Sequence, residues 1–223
     1  MKKILAVETS SNACSAALLI NDAVIEHYEL SPQQHGQLIL PMVNSLLAEA
    51  EIKLQQLDAL AFGCGPGSFT GVRIAASVAQ SLAFGADLPI VPVSTLRALA
   101  QGAFENWGAV KVLSGIDARM TEIYFGSYEI NNGLMRQQIN DGLYKLDNVP
   151  QPSGGEWFGV GDAWKIYAEK LEKHMKNKVT KIEAEFYPRA RDIVKLARAE
   201  FLAGNFVTVN EAIPIYLRNK VTT

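Results

Sequence analysis

Gly63-Cys64-Gly65-Pro66-Gly67-Ser68-Phe69-Thr70-Gly71 is the stretch on which the reading of this chain turns. Four glycines and a proline in nine residues make a tight backbone turn, because glycine allows close approach of another group and proline fixes the angle at which the chain arrives. The run before it, Leu57 to Phe62, reads as a buried strand. The run after it, Val72 to Phe84, reads as a helix with a single charge, Arg73. A surface helix carries a broad polar face. This one carries only a thin polar strip, so the expectation is a helix covered on two sides, by its own sheet and by a neighbour.

Working outward, Lys3–Glu8 and Cys14–Ile20 are short apolar runs separated by the polar turn Thr9-Ser10-Ser11-Asn12, and Val24–Leu30 alternates as a third strand. A helical run covers Leu38 to about Glu51. Pro41 falls inside it and is tolerated in a first turn, which puts the helix start near Gln37 or Leu38. Strand 58–63, helix 70–85, strand 89–93 and helix 95–105 complete a β-β-β-α-β-α-β-α unit, a mixed sheet with packed helices. Asn106-Trp107-Gly108 reads as a boundary, dividing the chain into 1–107 and 108–223. Beyond it, strands Val110–Asp117 and Glu122–Glu129 pair across Ala118-Arg119-Met120-Thr121. Helices follow near 162–173 and 190–203, the latter closed by Gly204-Asn205. Ile4-Leu5-Ala6-Val7-Glu8 and Leu113-Ser114-Gly115-Ile116-Asp117 share a pattern: an apolar strand ending in a carboxylate, then a polar turn and a second strand. That single match suggests two related halves in one chain.

Composition bounds the classes. The chain has 223 residues, 20% charged and 48% hydrophobic, with net charge −2, values ordinary for a folded globular protein. No apolar run reaches the roughly 18 residues of a bilayer span. The start, Lys2-Lys3-Ile4-Leu5-Ala6-Val7, has no signal-peptide pattern, so a cytoplasmic location is expected. Cys14 and Cys64 lie far apart with no metal spacing and read as small buried hydrophobes. Residues 162–198 carry ten basic and six acidic residues. That density is too low for a stand-alone nucleic-acid binder.

Candidate chemistry is sparse. The Gly65–Gly71 turn and a following helix N-terminus could cradle phosphate, yet the terminal Lys-Ser/Thr of a P-loop is missing. Thr9 and Ser10, with Gly65, Gly67 and Ser68, are the candidate nucleotide-proximal positions. Glu8 stands where an actin or sugar-kinase type fold places an acid. Against this, a plain hairpin and a plain glycine-rich helix start explain the same residues. His27, His35 and His174 have no zinc spacing. No nucleophile elbow or cysteine-nucleophile context occurs. Asp117 and Glu122 could form a carboxylate pair, or simply end a strand. Helix 70–85 has one small-residue face, Val72, Ala76, Ala79 and Ala83, and another of Ile74, Val78 and Leu82. Helix 38–51 has a stripe through Ile39, Val43, Leu46, Leu47 and Ala50 and a second through Leu38, Met42 and Ser45. The expected partner interface is Leu38, Met42, Val72, Ala76, Ala79 and Ala83.

Four blocks carry a resemblance to a known family: Ile4-Leu5-Ala6-Val7-Glu8-Thr9-Ser10, His35-x-x-Leu38-x-Leu40-Pro41-Met42, Gly65-Pro66-Gly67-Ser68-Phe69-Thr70-Gly71-x-Arg73-Ile74 and Asp117-Ala118-Arg119-Met120-x-Glu122-x-Tyr124. With Pro214-x-Tyr216-Leu217-Arg218 near the end, they resemble the bacterial TsaB (YeaZ) family over nearly the whole chain, Glu8 replacing the family's usual Asp. The resemblance implies a two-lobed, actin-like (ASKHA, ribonuclease H-like) α/β fold of mixed sheets flanked by helices. It implies a role in making N6-threonylcarbamoyladenosine in tRNA beside the anticodon, as a non-catalytic subunit that dimerises with the catalytic relative TsaD and works with the ATPase TsaE. It implies contact with tRNA through that complex, no membrane partner, and no cofactor required by this chain, with ATP or ADP a candidate at the partner interface. A homodimer in the absence of TsaD stays open. The catalytic relatives carry a metal-binding histidine pair where this sequence has Thr95 and Leu99, so no metal centre is expected. The competing readings are a glycoprotease-like peptidase and a sugar-kinase-like ATPase.

Overall fold

The computed structural model describes residues 2–176 and 178–218. The elements in chain order are β1 (Lys3–Glu8), β2 (Ala13–Ile20), β3 (Ala23–Leu30), α1 (His35–Glu49), β4 (Ala59–Gly63), α2 (Phe69–Ala86), β5 (Ile90–Val93), α3 (Thr95–Trp107), β6 (Lys111–Asp117), β7 (Glu122–Asn131), β8 (Leu134–Lys145), β9 (Trp157–Val160), α4 (Ala163–Ile166), α5 (Ala168–Met175), β10 (Val179–Glu183) and α6 (Ala190–Leu202).

The strands form two five-stranded sheets, ordered β3-β2-β1-β4-β5 and β10-β9-β6-β7-β8. In the first, β1 and β3 run antiparallel to β2, whereas β4 is parallel to both β1 and β5. In the second, β6 and β8 run antiparallel to β7, and β9 is parallel to both β6 and β10. Three antiparallel strands followed by two parallel ones, built twice, is the two-lobed actin-like α/β fold. Glu8 and Asp117 each close the first strand of a sheet, as the internal repeat requires.

The chain does not divide at a single cut after residue 107. Among the described residues, one compact unit comprises 2–98 and 188–215, the other 99–176, 178–187 and 216–218. The cause is α6, which returns to the first sheet and packs on β1, β2 and β4. Its apolar stripe, Ile193, Val194, Leu196 and Ala197, is fully buried.

In the first unit the pleat decides which side chain meets which layer. Leu5 and Val7 of β1, Cys14, Ala16 and Leu18 of β2, and Leu60 and Phe62 of β4 share a core with Ile39, Val43 and Leu46 of α1 and Ala75, Ala79 and Ala83 of α2. Alternate residues Ile4, Ala6 and Glu8 are equally buried and face the α6 layer. The core of the second unit joins Leu113, Ile123 and Phe125 with Trp157 and Trp164, the Trp164 Nε1–H donating to the Leu113 carbonyl at 3.0 Å.

Two boundaries differ from expectation. Helix α1 starts at His35, so Pro41 lies in its second turn. Pro41 is exposed there, and the carbonyl it leaves without a helical donor belongs to Gln37, also on the surface. The expected helix 162–173 is two short helices, α4 and α5, broken at Tyr167.

Candidate functional site

The glycine-rich turn and the β1–β2 hairpin meet in the first unit. Ser68 caps α2, its hydroxyl accepting from the Gly71 N–H at 3.4 Å. The Ser68 N–H donates to the Ser10 carbonyl at 2.7 Å, and the Thr9 hydroxyl donates to the Gly71 carbonyl at 2.7 Å. The fit is tight enough that a Cβ at Gly67 would sit 2.6 Å from the Ser10 carbonyl oxygen, and one at Gly71 would overlap the Thr9 carbonyl. Glycine is needed at both positions for close approach of this chain's own hairpin. The Ser10 and Thr95 hydroxyls lie 3.3 Å apart beneath it.

The five candidate nucleotide-proximal positions therefore separate. Thr9, Ser10 and Gly65 are buried; only half-buried Gly67 and exposed Ser68 reach the surface. The loop and the hairpin pack directly on one another at Gly67 and Gly71.

Glu8 has the same character. It is fully buried, its Oε1 accepting the Ser10 N–H, while its Oε2 has no hydrogen-bond partner. A side chain at Gly63 would overlap that oxygen, and the Ile193 side chain of α6 packs beside the same position. Burial pushes the Glu8 carboxyl up to about 7, outweighing the opposing hydrogen bonds from Ser10 and Thr9. A carboxyl that holds its proton about half of the time at neutral pH is a weakened cation ligand. Asp192, in the first turn of α6, is also fully buried with neither oxygen partnered, and burial raises it to about 7.

Other candidates resolve into structure. His35 opens α1 and its Nε2 lies 2.8 Å from the Ser11 carbonyl. Burial, reinforced by Glu8 and Glu29, pushes the Cys14 thiol up to about 12, which leaves it inert as a nucleophile. Thr95 and Leu99 are buried. In the second unit, Asp117 and Glu122 do not form a carboxylate pair. Asp117 Oδ1 accepts the Tyr167 hydroxyl and the Arg119 N–H, each at 2.9 Å, while Glu122 pairs with Arg218 at 2.8 Å. No group of three or more His, Cys, Asp or Glu placed to hold a metal occurs among the described residues. No described helix is long and apolar enough to cross a membrane.

The helix faces require a correction. Val72, Ala76, Ala79 and Ala83 are at most 3% exposed and belong to the first unit's own core. Met42 is 8% exposed in the same core, and Leu38 packs against it, half-buried. The small residues let α2 lie close to β4 and β1 of its own sheet. The outward surface is different: Ile74, Val78 and Leu82 form a half-buried flank, and Phe69 and Phe84 stand 59% and 81% exposed. Arg73 lies 3.3 Å from the centre of the Phe69 ring. On α1, Leu40 is 44% exposed. Sequence periodicity identified both stripes of α2 but assigned the alanine stripe to the wrong neighbour. The exposed Phe84, one turn from the helix end, was the missed signal.

Comparison with known proteins places the chain in context. The family model described as "TsaD: tRNA N6-adenosine threonylcarbamoyltransferase" matches residues 26–222. The Escherichia coli (strain K12) tRNA threonylcarbamoyladenosine biosynthesis protein TsaB is 42% identical over 98% of this chain and 96% of its own length. The Haemophilus influenzae protein of the same name is 40% identical over 98% of this chain and 94% of its own. The solved structure of YeaZ from Pseudomonas aeruginosa superposes with a TM-score of 0.92 at 42% identity, covering 97% of this chain and all of that one.

Proposed function

This chain belongs to the TsaB family of tRNA threonylcarbamoyladenosine biosynthesis proteins, and from that premise we propose that it is the non-catalytic subunit that pairs with a TsaD-type transferase. The complex it supports transfers the threonylcarbamoyl group to N6 of the tRNA adenosine beside the anticodon, with TsaE as the associated ATPase and the cytoplasm as its location.

The observation that carries this reading is the contrast between an inward-turned site and an outward-turned helix face. The groups that a two-lobed kinase-like enzyme would use at the end of β1, Glu8, Thr9 and Ser10, are buried and bonded to the chain's own backbone and side chains. The outer surface of α2, by contrast, keeps Ile74, Val78 and Leu82 only half-buried on one side and Phe84 81% exposed on another, and α1 keeps Leu40 44% exposed. Burying an exposed phenylalanine at the centre of an interface contributes on the order of 1.5–3 kcal/mol. The chain needs no cofactor of its own in this reading; ATP or ADP, where the system uses it, lies at the partner interface. The subunit acts by differential binding: docking favours the active arrangement of the transferase. Contact with tRNA comes through the complex.

Phe84→Asp tests the face. The residue is exposed, so the fold survives, and a charge is placed in what would be an apolar contact. The variant should elute as the parent does alone and lose co-elution with TsaD in gel filtration. A variant that still co-elutes at parental strength removes α2 from the interface.

A further inference from the structure

Arg119, Met120 and Thr121 follow one another with φ of 64°, 55° and 58°. None is glycine, and each is disfavoured in the left-handed region because its Cβ crowds the following carbonyl. Three in succession persist only where the surroundings hold them.

Two sets of contacts do so. From within the second unit, Asp117 Oδ1 accepts the Arg119 N–H, Asp162 Oδ1 accepts the Asp117 N–H at 2.8 Å, and the Tyr167 hydroxyl fixes Asp117. The Ala118 N–H donates to the Glu122 carbonyl and the Glu122 N–H to the Arg119 carbonyl, each at 3.0 Å. From the tail, one guanidinium spans the turn. Arg218 Nη2 donates to the Ala118 carbonyl at 2.9 Å and pairs with Glu122 Oε2 at 2.8 Å, while its Nη1 lies 3.5 Å from Met120 Sδ. Arg218 thus touches the residue before the left-handed run, the middle of it and the residue after it.

The tail that delivers Arg218 is held upstream by buried Ala212 and by the Ile215 N–H, which donates to the Cys64 carbonyl at 2.8 Å, and its larger apolar side chains stay partly open. Ile213 is 62% exposed, Ile215 and Tyr216 48% each. Segments with few buried apolar contacts open at low cost. The side chains at the head of the turn are open as well: Met120 is 62% exposed and the Arg119 side chain 87%. Arginine and methionine are residue types enriched at binding surfaces.

We propose that Arg218 is a clamp: docking of the C-terminal tail holds the 118–121 turn in its left-handed form, and release of the tail lets the turn relax and withdraw Arg119 and Met120 from their present positions. Tail release and turn relaxation are then one conformational event. The inference does not depend on the partner proposed above.

Amide hydrogen exchange on the full chain tests it, since the amides of residues 118, 119 and 122 are hydrogen-bonded in the clamped form. Arg218→Ala should accelerate exchange across 118–122 by about tenfold or more, with the β1–β2 hairpin and the urea midpoint unchanged. Arg218→Lys keeps the charge and one donor direction and should fall between variant and parent. Exchange at 118–122 within about twofold of the parent, or equal acceleration throughout residues 99–187, overturns the clamp. Should Arg218→Ala fail to fold, Glu122→Gln removes the charge at the other end of the same contact. It should accelerate the same segment about threefold, and no local acceleration there overturns the proposal equally.

Discussion

Replacing Glu8 by Gln should remove a loss of stability that the parent suffers as pH rises from about 4.5 to 7. Glu8 sits fully buried, with Oε1 bonded to the Ser10 N–H and Oε2 unpartnered. Burial raises its carboxyl from 4.5 to about 7. The native state therefore holds this proton more tightly than the unfolded chain does. Between about pH 4.5 and 7 the unfolded state binds fewer protons, so Glu8 makes stability fall as pH rises, and the loss is complete above about pH 7. A shift of that size corresponds to roughly 3 kcal/mol. Glutamine keeps the acceptor for Ser10 and cannot ionise. Its amide nitrogen, facing the place where Oε2 has no partner, costs about 1–3 kcal/mol at every pH, a constant that cancels when two pH values are compared. Urea unfolding of parent and variant from about pH 4 to 8.5 is the assay. The variant should gain roughly 3 kcal/mol on the parent across that range. Asp192 contributes a slope of the same sign to both proteins and does not disturb the difference. Parallel pH profiles, within about 0.5 kcal/mol, would refute the account of Glu8 as a buried, uncompensated acid.

Two further outcomes follow from the packing. Ala79→Arg puts an unpaired charge into a fully buried site of the first core and should destabilise by about 3–5 kcal/mol; a urea midpoint near that of the parent would return Ala79 to the surface. Gly71→Ala drives a methyl group into the Thr9 carbonyl and should cost on the order of 1–3 kcal/mol, as overpacking does, with accelerated amide exchange at Ser68, whose N–H holds the hairpin; an unperturbed melting curve would mean the loop and hairpin can separate freely.

The first sheet was legible because its strands are apolar and short, with polar turns between them: Lys3–Glu8, Cys14–Ile20 and Val24–Leu30 all lie within one residue of β1, β2 and β3. The second sheet was half legible. Strand β8, Leu134–Lys145, is an edge strand carrying Arg136, Gln137, Gln138, Asn140 and Asp141, and edge strands are often charged to discourage further pairing. Its alternation is therefore hidden. Strand β9 has four residues, and β10 is the opposite edge. The domain boundary was unreadable for another reason: the stripe of α6 says that it is buried but not against which sheet. The candidate site shows the same limit. Spacing on α2 separates the stripes through Ala79 and Val78 correctly, yet only the fold shows that alanine meets strands β1 and β4 while Phe84 meets solvent. The glycines of the Gly65–Gly71 turn signal close approach, and the sequence does not say that the approaching group is Thr9 and Ser10 rather than a phosphate.

The most direct test of the central claim is a reconstituted transfer reaction with TsaD, TsaE, threonylcarbamoyl-adenylate and unmodified tRNA, read as N6-threonylcarbamoyladenosine formed per transferase. This chain alone should form none; added to the other two it should restore multiple turnover, and its Phe84→Asp variant, folded as the parent is, should not. Full turnover by TsaD and TsaE without this chain, or modified tRNA from this chain by itself, would contradict the account.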